Sequence, residues 1–366
     1  MNLMEIDRRR TLGLVAAAAL YPGAALARGG KTLYLNAMTS ADWAHGAALF
    51  DAGGVIVARF ELPSRGHGAT FNASAKHAVL FARRPGTYAI VIDVSGRRVA
   101  RLIKSRGDRH FYGHGCFSAD GRLLYATEND FDNERGVIGV YDAMDDYRRV
   151  GELPSHGIGP HEVVLMPDGK TLAVANGGIL THPSAPRIKL NIAEMAPSLA
   201  LVKASDGDLL AMHRVPEELH KLSIRHLAVN NQGVVAAAMQ WQGPELDTPP
   251  LVGIWRPSGE LRLTTAPADM QRAMRNYCGS VAFAADGRHF IVSSPRGNIL
   301  TEWGIDGKFK RSFKLRDVCA IAPQPDGGFL ATGGTGDIVT VQTQDGILTP
   351  LARHTGMMWD NHMTTL

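Results

Sequence analysis

GHGCFSADGRLLYATENDFDNERGVIGVYD, residues 113–142, decides how the rest of the chain is read. A short apolar run leads into the dipeptide Asp120-Gly121. A second run, LLYATEN, follows, and then a third, VIGVYD. Short runs rich in Val, Leu and aromatics, broken by an Asp-Gly pair, are the signature of antiparallel hairpins. The same order returns in GHGATFNASAKHAVLFARRPGTYAIVID (66–93), GPHEVVLMPDGKTLAVANGG (159–178) and RHLAVNNQGVVAAAMQWQG (225–243). It returns again in CGSVAFAADGRHFIVSSPRGNILTEWGIDG (278–307) and CAIAPQPDGGFLATGGTGDIVTVQTQDG (319–346). The turn pairs there are Asp168-Gly169, Gln232-Gly233, Asp286-Gly287 and Asp326-Gly327. Four strands in each ~45-residue repeat is the mark of a β-propeller blade.

A seventh unit is split between the two ends of the chain. KTLYLNAMTS (31–40) parallels the second-strand segment KTLAVANGG (170–178), and GGVIVARFEL (53–62) supplies a fourth strand. The missing first strand is expected from the last residues, Asn361 to Leu366. Closing the ring in this way removes exposed sheet edges that would invite aggregation. The expectation is therefore all-β: one seven-bladed β-propeller domain over residues 28–366, closed by pairing the C-terminal strand with the N-terminal blade. The one long departure is NGGILTHPSAPRIKLNIAEMAPS (177–199), an insertion after the second strand of its blade, where loops commonly carry function.

Composition agrees with a single folded unit. The 366 residues include 45% hydrophobic residues, 40 Gly and only 3 Cys, and a net charge of +4 without a later Lys/Arg run argues against nucleic acid as a partner. Residues 1–27, MNLMEIDRRRTLGLVAAAALYPGAALA, read as a signal peptide: a charged start, an apolar run from Leu12 to Leu20 too short to span a bilayer, and an A-x-A cleavage site. Arg8-Arg9-Arg10-Thr11-Leu12 resembles a twin-arginine signal, although Thr11 stands where a bulky Phe is usual. A mature chain starting at Arg28, in the bacterial periplasm, with no membrane span and in monomeric form, is the expectation. Cys116, Cys278 and Cys319 form an odd set, so at most one disulfide is expected in an oxidising compartment.

First strands of propeller blades line the central channel and run the same way, so the residues opening them meet around one mouth. Those openings are His67, His114, His161, His226, Cys278, Cys319 and His362. Measured from the middle of each strand, His114 and His226 fall three residues back and His67 and His161 four. Convergence of three to five is therefore expected. Second strands end on the same face, bringing Arg83-Arg84, Glu128-Asn129-Asp130, Asn176, Gln240 and Ser293-Ser294, with His182, Arg187 and Asn191 of the insertion in reach.

Imidazoles gathered at one place suit a transition metal, iron or copper among them. The five His are the expected ligands. Glu128, Asn129, Glu162, His182 and Arg187 are expected to orient the rings or contact anions, as carboxylates commonly do behind metal-bound His. Met357, Met358, Met363 and the thiols of Cys278 and Cys319 would bias such a site toward Cu(I). Each His alone reads most simply as a hydrogen-bonding structural residue; the argument lies in five at equivalent positions. The other nine His, His110 among them, read as surface or loop residues, His182 excepted. No G-x-S-x-G, H-E-x-x-H, Walker A or C-x-x-C-H motif is present.

The twin-arginine start, R-G-H-G, G-H-G, G-P-H-E, V-A-N-G-G-I-x-T-H-P, R-H-L and the terminal W-D-N-H together resemble a bacterial family known as domain of unknown function 1513. The resemblance covers essentially the whole mature chain. It implies a periplasmic propeller-like protein, often encoded beside imelysin-type iron-regulated and dihaem thiol-oxidoreductase-like proteins, and hence a role in iron or copper handling with other periplasmic iron-handling proteins as partners. It implies no particular activity. Two alternatives stand beside metal binding: a lactonase-like hydrolase in which a ring His or Glu is the general base, and a protein-binding scaffold with structural histidines.

Overall fold

A computed structural model describes residues 32–366 apart from 75, 186–187 and 258. The signal-peptide reading of residues 1–27 and the expectation for Arg187 fall outside the described residues. Seven four-stranded antiparallel sheets form the seven blades of a propeller. The first strands are Met357–Thr365, Gly66–Asn72, Arg109–Phe117, Pro160–Leu165, Leu222–Val229, Ser280–Phe283 and Val318–Pro323, each contacting the next around the ring. The ring closes as expected. Met357–Thr365 is the inner strand of the blade that continues through Leu33–Ser40, His45–Asp51 and Ile56–Glu61. It begins four residues earlier than the sequence indicated, and Tyr34 faces Thr365 across the junction.

Burial falls from the axis outward, which explains the sequence pattern. Middle strands such as Leu123–Asp130 and Thr171–Asn176 are buried almost throughout, because each blade is sandwiched between two neighbours. They therefore read as continuous apolar runs and not as alternations. Outer strands are polar. Arg98–Lys104 exposes all but Ile103, and such charged edges discourage further pairing. The turn glycines expected from the Asp-Gly and Gln-Gly pairs are in place, Gly121 at φ +72° and Gly169 at φ +66°, a region that Gly enters without strain.

Two details differ from the reading. The inserted loop is shorter at its end, since the third strand of its blade starts at Ser198 (Ser198–Lys203), and it carries a 3₁₀ turn, Ile192–Glu194. A second departure was not anticipated: the α-helix Ala268–Ala273 precedes Ser280–Phe283. Its six residues give less than two turns, too short for a 3.6-residue period to show. All three cysteines are free, so the one disulfide that the composition allowed does not form. No helix among the described residues is long and apolar enough to cross a membrane.

Candidate metal centre

The inner strands do not pair evenly with their neighbours at the channel mouth. Register shifts fall between Gly66 and Ala69, Phe111 and Gly115, Pro160 and Glu162, and Ile224 and His226. A further one leaves residues 360–362 of the closing strand unpaired. Each places a histidine in or at the edge of a β-bulge, and bulges re-aim side chains. The three-residue and four-residue offsets are absorbed there. All five rings therefore meet: His67 and His362 have centroids 4.5 Å apart, His226 and His362 4.4 Å, His161 and His226 4.7 Å, and His67 and His114 4.9 Å. Glycines make room for this approach. A Cβ on Gly68 would lie 2.7 Å from His114 Nδ1, and one on Gly113, itself at φ +107°, 2.7 Å from His67 Cδ2.

Two carboxylates orient the rings. Asp360, buried, accepts from His67 Nδ1 at 3.2 Å, from the Asn361 backbone N–H at 2.8 Å and from Arg65. Burial opposes its charge, but His67 and the Arg65 and Arg83 cations outweigh that and hold its carboxyl well below the usual range. An ionised carboxylate only accepts, so His67 Nδ1 carries the proton and Nε2 is left bare. Glu162 lies 3.3 Å from His226 Nδ1 and 3.5 Å from His114 Nδ1, and accepts the Leu227 N–H at 3.1 Å. Burial pushes its carboxyl up, with His114 and the Leu227 N–H acting against the shift.

Burial also keeps the imidazoles neutral. It lowers His114 to about 3 despite Glu162, and lowers His67 despite Asp360. His161, His226 and His362 lie well below the ordinary histidine value, first through burial and then through neighbouring rings and the Arg225 or Arg83 cations. Neutral imidazole is the form that ligates.

The donor set fits a transition metal. His67, His114 and His161 offer ligand atoms all within 4.8 Å of one another, and so do His114, His226 and His362. Three nitrogens spread around one ion at 2.0–2.1 Å lie about 3.3–3.6 Å apart, so either trio needs at most about 1.5 Å of closure. His114 Nε2, His161 Nδ1 and His362 Nε2 are buried without a hydrogen-bond partner. Orphaned buried nitrogens are costly, at roughly 1–3 kcal/mol each, and a ligand to them relieves that cost.

Other expected residues fall elsewhere. Glu128 is buried between Tyr141 and Arg149, 2.5 Å from the Tyr141 hydroxyl and 2.9 Å from Arg149 Nη2, and makes no contact with the five rings. Its position at a second-strand end was read correctly; its side chain turns into the blade. Asn129 donates to the Thr181 carbonyl at 2.8 Å and sits 2.9 Å from His110 Nε2, so it anchors the inserted loop. His110, assigned to the surface from sequence, is fully buried, with burial lowering it to about 4. His182 bonds Ser184 and packs edge-on to Phe131, away from the cluster. Cys278 lies against the Leu251 carbonyl and Cys319 against the Asp317 carbonyl, and neither joins a ligand trio. Met357 and Met363 are core residues beside Trp359. The set is nitrogen and carboxylate only, and the bias toward Cu(I) falls away.

Asp360 was missed. The bulge at residues 360–362 turns it across the blade junction to His67, a contact that strand spacing does not encode. Glu162, by contrast, was legible beside His161. Replacing it, Glu162→Gln, keeps an acceptor for the Leu227 N–H but removes the negative charge facing two rings. Metal affinity is expected to fall 10–100-fold with little change in folding, measured by competition with a chelating dye. Unchanged affinity would show that Glu162 does not position the rings.

Beside the cluster, on the same face, a cavity of about 220 Å³ is lined by Arg83, Arg84, Arg225, Lys189, Arg296 and Tyr277, with Gln240 and Trp241. The Tyr112 hydroxyl lies 3.4 Å from the Thr181 hydroxyl, which ties the inserted loop to the rim. Arg225 is buried, and burial with the Arg84 charge lowers its guanidinium to about 9.

Among solved structures, the chain is similar to Kuenenia stuttgartiensis hydrazine synthase, at a TM-score of 0.61 and 14% identity, covering 87% of this chain and 95% of that one. At that identity the likeness is one of fold. No curated protein sequence matches the chain. The family model described as protein of unknown function (DUF1513) matches residues 60–366, from the outer strand of the closing blade through its channel strand. With every ring histidine inside the matched span, the chain belongs to the DUF1513 family.

Proposed function

We propose that this protein is an exported metal-binding propeller that holds an iron or copper ion in its imidazole cluster and serves periplasmic iron handling. The observation that carries the reading is the pair of overlapping His trios, buried but for the half-buried His362, neutral and with unpartnered nitrogens, at the channel mouth. The basic, apolar, small-residue order of residues 1–27 supports export. When bound, a redox-active ion would supply one-electron chemistry or Lewis acidity. The chain's own part is to present imidazoles in one tautomer, through Asp360 on His67 and Glu162 on His114 and His226, and to restrict access by water.

Elemental analysis of protein exported by a bacterial host tests the reading. About one iron or copper per chain, kept through dialysis and lost to a chelator, is the expected result. Protein that is metal-free as isolated and binds neither ion on titration overturns it.

A further inference from the structure

We propose that the cavity beside the imidazole cluster is a binding site for a small, multiply charged oxyanion, a polycarboxylate or a phosphate. This goes beyond metal binding and does not depend on it. Five cations, Arg83, Arg84, Lys189, Arg225 and Arg296, line the cavity, and no Asp or Glu is among the described residues that line it. Like charges gathered around one space repel, and an anion placed among them converts that cost into attraction.

The cations are graded by depth. Arg225 lies at the base, 3% exposed, with its Nε hydrogen-bonded to nothing. A buried guanidinium with an open donor is costly unless a ligand meets it. It sits in the bulge of Leu222–Val229 that also turns His226 inward, so the fold fixes its position. Lys189 and Arg296 are exposed at the rim. Lys189 reaches Gln242, and Arg296 stacks 4.5 Å over the Tyr277 ring, which holds its planar fork in one orientation. The Lys189 ammonium is pulled below its ordinary value by burial and by Arg225, Arg84 and Arg296, so these charges share one field. Guanidinium forks match carboxylate and phosphate oxygens in pairs, which selects oxyanions over halide. The volume accommodates more than a single water-sized group.

The experiment is calorimetric titration of chelator-treated full-length mature protein with citrate in one arm and inorganic phosphate in the other. One anion per chain is expected to bind in at least one arm, with the arm identifying carboxylate or phosphate as the preferred chemistry. The double rim variant Lys189→Gln/Arg296→Gln changes only exposed side chains and is expected to fold. It should bind that anion at least tenfold more weakly. Repeating the titration on His114→Ala separates this proposal from the metal reading: anion binding should persist there even if no metal is ever found. Failure of both anions to bind, or equal binding by the rim variant, overturns the proposal.

Discussion

His114→Ala is expected to lower affinity for the cluster's metal by about 100-fold or more, whereas His161→Ala lowers it by less than tenfold. The asymmetry follows from position. His114 belongs to both ligand trios, with His67 and His161 on one side and His226 and His362 on the other. Its loss leaves each trio with two imidazoles, too few to displace an aquo shell with a comparable gain. Loss of His161 spares the set His114, His226 and His362 intact. Altering residues that merely orient a ligand costs 10–100-fold, so removing the shared ligand itself should lie at or beyond the upper end. A hundredfold corresponds to about 2.7 kcal/mol. Truncating a buried ring also costs stability, and His161, 6% exposed against 5% for His114, controls for that. Titration with a competing chelator, alongside thermal unfolding of both variants, reads the two effects separately. If the rings only fill the channel, both variants would behave alike in the titration.

The fold was legible because it repeats. Five Asp-Gly or Gln-Gly hairpin turns at equivalent places cannot arise by local accident, and the split seventh unit lacked only a first strand, for which Asn361 to Leu366 was the evident candidate. The cluster was legible for a related reason: equivalent positions in a closed ring meet at its axis. What sequence spacing could not supply was side-chain direction at the bulges. Counting residues from mid-strand predicted unequal projection of His114 and His67, yet the bulges at Phe111–Gly115 and Gly66–Ala69 bring the two rings together. The same limit misassigned Glu128, which lies one residue beyond Thr127, whose hydroxyl bonds the His114 carbonyl, and so faces the opposite side of its strand. It also concealed Asp360, whose partner comes from the neighbouring blade. His110 was misplaced because nothing in its neighbourhood announces burial; Asn129 and the inserted loop, both distant in sequence, cover it.

Acidification should destabilise this protein steeply between pH 6.5 and 5 in metal-free buffer. In the folded chain, burial lowers His110 to about 4 and His114 to about 3, and lowers His67, His161, His226 and His362 as well. Unfolded, each returns to about 6.5. Below that value the unfolded chain takes up protons that the folded chain excludes. Stability therefore rises with pH through the window and is lost as pH falls. His110 and His114, held to about 4 and about 3, each cost on the order of 1 kcal/mol between pH 6.5 and 5.5. Glu128 and Glu162 act with the opposite sign, because burial raises both and the folded chain holds their protons more readily above about 4.5. Asp360, held far below the usual carboxylate range, loses its contribution only below about 3.9 and does not touch this window. His110 and His114 alone give a loss on the order of 2 kcal/mol per pH unit, a large share of the stability of many domains, and the other four rings add to it with the same sign. Urea unfolding at pH 7, 6 and 5 measures it. An uptake of several protons on unfolding near pH 6 is expected, and a slope of less than one proton would mean that the rings are not held neutral in the fold. Metal on the imidazoles competes with the same protons, so the loss should shift to lower pH when the ion is supplied.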